Sequence, residues 1–274
     1  MLSPLLTHAQ WHLNVFGGFS NYIGDLQSQG YTTKQSHGSV GAGLQYDLSN
    51  HLSVLSNLTY GHISAADSYS RKADLRARNL NFGTQIVEGN LLVEYNLLDL
   101  NEHRLTPYVF AGVAVFHFDP YAYDSLGFKT YLHTLSTEGE GLPQYPNKKP
   151  YSLTQLAIPF GGGIKFRVSD KVVLAYEIGL RKLFTDYLDD VSTTYADQAV
   201  LLAARGPEAV ALAYRGNQLK NGAPYPPDGT VRGNPKRKDW YYMSGIRLSI
   251  ALGNNGPARH TRHNGVLDCP KNVY

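Results

Sequence analysis

The sequence predicts an all-β protein, an eight-stranded antiparallel transmembrane β-barrel with long extracellular loops and short periplasmic turns. Three observations carry this reading. Segments of ten or more residues alternate apolar and polar side chains with period two, the pattern of a strand with one apolar face. The other parity is rich in glycine, hydroxyls, amides and charge, which suits a barrel lumen and leaves the apolar parity to meet lipid. The links between segments are alternately a few residues and a dozen or more, as in strands that thread a membrane back and forth.

The hairpin from Leu156 to Tyr187 shows the pattern at its clearest. Leu156, Ile158, Phe160, Ile164 and Phe166 share one parity, against Gly161, Gly163, Lys165 and Arg167. After the dipeptide Ser169-Asp170, Val172, Leu174, Tyr176, Ile178, Leu180 and Phe184 alternate with Ala175, Glu177, Gly179, Arg181 and Thr185. A two-residue link between such runs makes a hairpin.

The remaining strands follow in order. The first, Trp11 to Tyr22, sets Leu13, Val15 and Phe19 against Asn14, Gly18 and Ser20. The second, Ser39 to Leu48, places Val40, Ala42, Leu44, Tyr46 and Leu48 outward, with Gly41, Gly43, Gln45 and Asp47 inward. Ser49-Asn50-His51 turns the chain. The third, Leu52 to Ser64, sets Leu52, Val54, Leu58 and Tyr60 against Ser53, Asn57, Thr59 and Gly61. The fourth, Gln85 to Leu98, sets Leu91, Val93, Tyr95 and Leu97 against Asn90, Glu94 and Asn96. The fifth, Arg104 to Asp119, is apolar on both parities, and bulk places Tyr108, Phe110, Phe116 and Phe118 outward. The eighth, Trp240 to Leu252, sets Ile246, Leu248, Ile250 and Leu252 against Gly245, Arg247, Ser249 and Ala251. The longest loop precedes it and carries two short helices, Ala196–Ala204 and Pro207–Tyr214, separated at Gly206-Pro207. Aromatics near the strand ends on the long-loop side (Phe116, Phe118, Phe184, Tyr187, Trp240, Tyr241 and Tyr242) read as an interfacial girdle.

Composition agrees with this and excludes other classes. The chain has 274 residues, with 20 tyrosines and 27 glycines. Mean hydropathy is −0.30, and no apolar run approaches the length of a helical span. A net charge of +3 is too even to point to nucleic acid. Cys269 is the single cysteine, so no internal disulfide forms. Leu2, Leu5 and Leu6 run into Thr7-His8-Ala9-Gln10, which resembles the end of a secretory signal. The expectation is a signal remnant over 1–9 with the precursor starting upstream, a barrel over 10–252 and a periplasmic tail over 253–274. A plain N-terminal tail is the other reading of 1–9. A soluble barrel with an apolar interior fails, because its glycine-rich, charged parity would then have to face water.

In a barrel this small, side chains fill the lumen. Glu94, Lys165, Arg167, Glu177, Arg181 and Arg247 therefore read as a structural ion-pair network and not as a conduction path. Function is left to the loops, the tail or the lipid-facing rim.

One loop segment carries a family likeness. The run Phe184-Thr185-Asp186-Tyr187-Leu188-Asp189-Asp190-Val191-Ser192-Thr193-Thr194-Tyr195 is accompanied by Phe16–Asp25, Thr106–Gly112, Thr137–Gly141, Ile158–Gly161 and Lys238–Tyr241. Together these pieces resemble a family of Bacteroidetes outer-membrane barrels that includes the PorG-type component of the type IX secretion machinery. The resemblance implies a non-enzymatic outer-membrane component associated with a periplasmic ring of the secretion and gliding apparatus; separately, no cofactor is expected.

Two features invite chemistry of their own. Asp186, Asp189 and Asp190 are three nearby carboxylates, either ligands for a hard cation or caps of the turns around Ser192, Thr193 and Thr194. The run lacks the regular ligand spacing of a calcium loop, which favours caps. Lys236-Arg237-Lys238 stands at the rim, facing either lipopolysaccharide phosphates or solvent. From another class, His62-Ile63-Ser64 places a histidine and a hydroxyl on one lipid-facing parity, the elements of a lipid A hydrolase if a carboxylate orients them. A snorkelling interfacial histidine is the simpler reading. The scattered histidines show no metal-ligand spacing. The sequence thus points to an outer-membrane barrel with outer-membrane lipid and lipopolysaccharide as partners, and the resemblance implies that it anchors or assembles a secretion machine with periplasmic ring proteins as partners. A stand-alone barrel that modifies lipid A or binds a surface ligand is the alternative.

Overall fold

The computed structural model describes residues 10–27, 32 and 34–253. The signal remnant at 1–9, Cys269 and nearly all of the 253–274 tail lie outside them. The strands are β1 (Gln10–Ile23), β2 (His37–Asp47), β3 (Leu52–Ala66), β4 (Asn81–Asn96), β5 (Leu105–Phe118), β6 (Tyr121–Tyr123), β7 (Lys129–Tyr131), β8 (Thr154–Arg167), β9 (Val172–Leu183) and β10 (Trp240–Ala251). Eight of them pair antiparallel in the order β3-β2-β1-β10-β9-β8-β5-β4, and β3 pairs with β4 to close the ring. Closure leaves no strand edge to be satisfied by water that lipid does not contain.

The register fixes the stagger of the barrel. Pairing leads from Trp11 through Tyr46, Val54, Val93, Ala111, Phe160, Leu180 and Tyr242 back to Asn21, ten residues further along β1. Such a stagger is what tilts the strands and sets the lumen's width. Links β2–β3, β4–β5 and β8–β9 are short and share one end with Gln10 and Ala251. The four long connections gather at the other end as a crown. It holds α1 (Ala73–Arg78), α2 (Gln198–Arg205), α3 (Pro207–Ala213) and the small β6–β7 hairpin, which extends from β4 at Gly83–Tyr121. No helix among the described residues is long and apolar enough to cross a membrane.

The outer face is an apolar belt. Leu58, Val113 and Leu156 are each more than 60% exposed, and Val15, Val40, Leu91, Val93, Val109, Ile164, Tyr176 and Ile246 join them. Water would penalise such a continuous surface on a soluble chain, whereas lipid would not. Alternation of the strands follows the sequence reading with one exception. In β5 the bulky aromatics point inward: Tyr108, Phe110, Phe116 and Phe118 are buried, and Val109, Val113 and Val115 take the outside. Glycine on the neighbouring strands explains the reversal. A Cβ on Gly161 or Gly179 would strike the Phe110 ring, so the missing side chains make the space the ring occupies.

The same correction thins the expected girdle. Phe116, Phe118 and Tyr241 lie inside, Tyr242 is covered, and only Phe184 and Trp240 remain outward at the loop end. At the turn end Trp11, Tyr46 and Tyr95 face outward, with Trp11 and Tyr46 rings 4.8 Å apart.

Candidate functional site

Charged side chains cross the lumen in two layers. In the lower layer Glu94 of β4 accepts from Lys165 Nζ of β8 and from the Arg247 guanidinium of β10. Arg247 Nε also lies 3.2 Å from Glu177 of β9, Tyr108 donates to Glu177 at 2.8 Å, and Lys165 donates to Asn96 at 2.8 Å. In the upper layer Glu88 accepts from Arg181 at 2.9 and 3.1 Å, from Tyr241 at 2.5 Å and from Asn90 at 2.7 Å. Leu55, Leu92 and Phe110 form a buried apolar cluster with Tyr108 and Ala175. Ionic groups taken out of water need this degree of pairing and hydrogen bonding to be tolerable. Arg167 does not join them. It sits at the turn end, 3.5 Å from the Asn101 carbonyl. Glu88 does belong, although the sequence reading omitted it; its parity with Glu94 was the available signal. The void left between Asn14, Asn57, Asn90, Arg181 and Arg247 is about 30 Å³, room for a water and not for a permeating solute.

Above the lumen, the run from Phe184 to Tyr195 ties the crown together. Phe184 is outward and 55% exposed, whereas Leu188 is fully buried in the main core. The Thr185 carbonyl accepts from Asp239 N–H at 3.2 Å, and the Thr185 hydroxyl accepts from Tyr187 N–H at 3.2 Å. The Tyr187 ring stacks on Tyr151 at 4.7 Å. Asp186 accepts from the Ser192 hydroxyl at 2.8 Å, and Asp189 from Val191 N–H at 3.0 Å. Asp190, in the left-handed region at φ 63°, accepts from Thr137 at 2.6 Å and from Tyr151 at 2.7 Å. The three carboxylates thus turn to three different sets of donors, as caps do. Among the described residues no group of three ligating side chains is placed to hold a metal ion.

Residues far apart in the chain complete this arrangement. Glu138, from the third long loop, accepts from the backbone N–H of Ser192 and Thr193 at 2.9 and 2.8 Å and from Arg232 at 3.1 Å. Arg78, at the end of α1, donates to Asp67 at 2.7 and 2.8 Å and to the Arg232 carbonyl at 2.5 Å. Asp25 of the first long loop accepts from Arg78 at its carbonyl at 3.5 Å and from Asn234 N–H at its carboxylate at 2.7 Å, so all four long loops share one polar network. The pieces 16–25, 137–141, 184–195 and 238–241, separate in sequence, converge there.

The network is short of positive charge at one point. Tyr22 OH lies 2.6 Å from Asp189 Oδ2 and 2.9 Å from Asp239 Oδ1. A phenol has one hydrogen, so both contacts are hydrogen bonds only when one carboxyl carries a proton. Burial drives this, holding Asp189 and Asp239 well above the usual carboxylate range, reinforced by Asp25 for the first and by Asp189 and Asp186 for the second. Burial also pushes Asp186 up to about 7. For Glu140, burial with Asp190 and Glu138 nearby gives about 8.

The histidine and hydroxyl of His62-Ile63-Ser64 do not pair with each other. Ser64 Oγ is 2.7 Å from His37 Nε2, and His62 Nε2 is 2.8 Å from Tyr121 OH. The two imidazoles meet edge to face at 4.2 Å. Among the described residues no carboxylate hydrogen-bonds to either ring, so the orienting member of a nucleophilic triad is missing.

Residues 1–202 match the model of a family described as a domain of unknown function, DUF6089. The chain belongs to this family. No curated protein matches it. Among solved structures, this DUF6089 member is similar to Neisserial surface protein A at 9% identity, covering 88% of this chain and 96% of that one with a TM-score of 0.45. It is similar to OprG from Pseudomonas aeruginosa at 12% identity, 89% and 98% coverage and a TM-score of 0.42. For Ail of Yersinia pestis the values are 8%, 89% and 99%, and 0.40.

Proposed function

We propose that this chain is a non-enzymatic outer-membrane barrel that serves as an anchor or assembly component of the type IX secretion and gliding machinery. The observation that carries a scaffold role is the filled lumen. Glu88 and Glu94, both with no exposed surface, are held across the lumen by Arg181, Lys165 and Arg247. The apolar belt supports placement in the outer membrane, since a closed barrel with a polar interior has no other use for it. The crown, cross-linked by buried polar contacts, covers the loop end. The likeness of 184–195 and its companion pieces to the PorG-type family supports the secretion role. In that role the short turns and the 253–274 tail face the periplasmic ring.

Affinity purification from detergent-solubilised outer membranes, with mass spectrometry of the co-purifying proteins, tests this reading. Recovery of periplasmic ring subunits is the expected result, and their loss on deleting the tail would assign the contact to it. A barrel that purifies alone would contradict the secretion role, and recovery only from the soluble fraction would contradict the membrane placement.

A further inference from the structure

The outward rim where β9 and β10 meet the crown gathers charge and apolar surface. Lys182 and Trp240 are register partners at the loop end of the β9–β10 pair, and Lys182 is exposed. The Trp240 ring lies 6.0 Å from Phe160 on the outer face, the position of an interfacial aromatic. Lys236, Arg237 and Lys238, also exposed, occupy the segment that leads into Trp240. The acidic groups of the same region are turned the other way: Asp186, Asp189 and Asp239 are buried beneath the surface. The rim is therefore cationic outside and anionic inside.

An apolar groove adjoins this ridge. Val115, Leu156 and Phe184, with Thr154 and Gln155, line a space of about 290 Å³ on the outer face. Val115 pairs with Leu156 across β5 and β8, and Ile158 pairs with Lys182 across β8 and β9. Phe184 and Lys182 share a parity two residues apart, so groove and cations are neighbours on one surface. The groove is continuous with the lipid-facing belt, and its polar side chains lie at the crown end. This is the order of an amphiphile standing in a leaflet, with chains toward the membrane centre and a charged headgroup at the rim.

We propose that this rim binds one phosphate-bearing lipid of the outer leaflet, with an acyl chain in the groove against Phe184 and a phosphate against Lys182, Lys236 and Lys238. Charge complementarity selects an anionic headgroup, and continuity with the belt selects a lipid as the occupant. The inference rests on the membrane placement given above.

The full chain is reconstituted into nanodiscs of phosphatidylcholine carrying bis-phosphorylated lipid A, extracted in mild detergent and weighed by native mass spectrometry. Insertion of a folded, heat-modifiable barrel tests the membrane placement by itself; failure to insert contradicts that placement. Once the barrel is inserted, lipid retention tests the site. The expected result is retained phosphorylated lipid, reduced by about fivefold for each lysine removed in the K182Q/K236Q/K238Q variant, since a lysine near an anionic surface is worth about that factor. Phe184→Ala is expected to weaken retention as well, and K72Q/K220Q, elsewhere on the crown, to leave it unchanged. Equal retention by the triple variant, equal retention of dephosphorylated lipid A, or a second copy of the chain in place of lipid would overturn the proposal.

Discussion

Arg232 donates to Glu138 at 3.1 Å with both side chains almost wholly out of solvent, joining the loop before β10 to the loop before β8. Removing one partner of a buried ion pair leaves the other charge uncompensated, which costs about 3–5 kcal/mol. Arg232→Ala is therefore expected to loosen the crown while the barrel, whose own ion pairs lie lower in the lumen, stays closed. Limited proteolysis should then cut within 119–153 and 184–239, and heat-modifiable gel mobility should still report a folded barrel. Loss of both properties together would show that crown and barrel do not separate in this way.

The raised carboxyls of the crown set the sign of its pH dependence. Asp186 near 7, Glu140 near 8, and Asp189 and Asp239 above their ordinary values hold protons that the unfolded chain releases near pH 4. The folded crown binds more protons than the unfolded one in that window, so its stability falls as pH rises from about 4 toward 8, by about 1.4 kcal/mol per pH unit for each such proton. Hydrogen exchange at Leu188 and Val191, corrected for intrinsic rates, should show less protection at pH 8 than at pH 5. Asp239→Asn supplies a permanently neutral partner for Tyr22 and should flatten part of the difference. Protection that rises with pH would contradict the shared proton.

The inward turn of β5 has a direct chemical readout. In a Cys269→Ser background, Val109→Cys should react in liposomes with a lipid-soluble maleimide. Phe110→Cys, facing Gly161 and Gly179, should stay unlabelled. Truncating the same ring, Phe110→Ala, leaves a cavity expected to cost about 3–5 kcal/mol. Labelling of the Phe110→Cys variant and protection of the Val109→Cys variant would restore the outward placement that bulk alone indicated.

Ser64 lies within reach of His37, and among the described residues no carboxylate hydrogen-bonds to that imidazole. Ser64→Ala is expected to leave the acylation pattern of lipid A unchanged when the membrane lipids are analysed by mass spectrometry. A changed pattern would favour the hydrolase alternative over the scaffold.

How much of this was legible in the sequence depended on whether a face was uniform. Most strands could be oriented because one parity was apolar throughout and the other carried glycine or charge. β5 offers apolar residues on both, and what decides it is the glycine on β8 and β9, a non-local fact. Arg167 shares the parity of Lys165, but its place at the turn end keeps it out of the lumen network. The crown was less readable, since Glu138, Asp189, Arg232 and Asp239 meet only through the folding of four loops. The β6–β7 hairpin, with three residues per strand, is too short to show a period.

Glu94 with Lys165 and Arg247 fills the lumen, as the proposed scaffold role requires. Ion conductance of the purified chain in planar lipid bilayers tests it most directly. Inserted protein with no steady current is expected, and short, irregular openings once Glu94→Ala removes the shared carboxylate. Stable, stepwise conductance of the unaltered chain would mean that the lumen is a pathway, and would contradict the scaffold role.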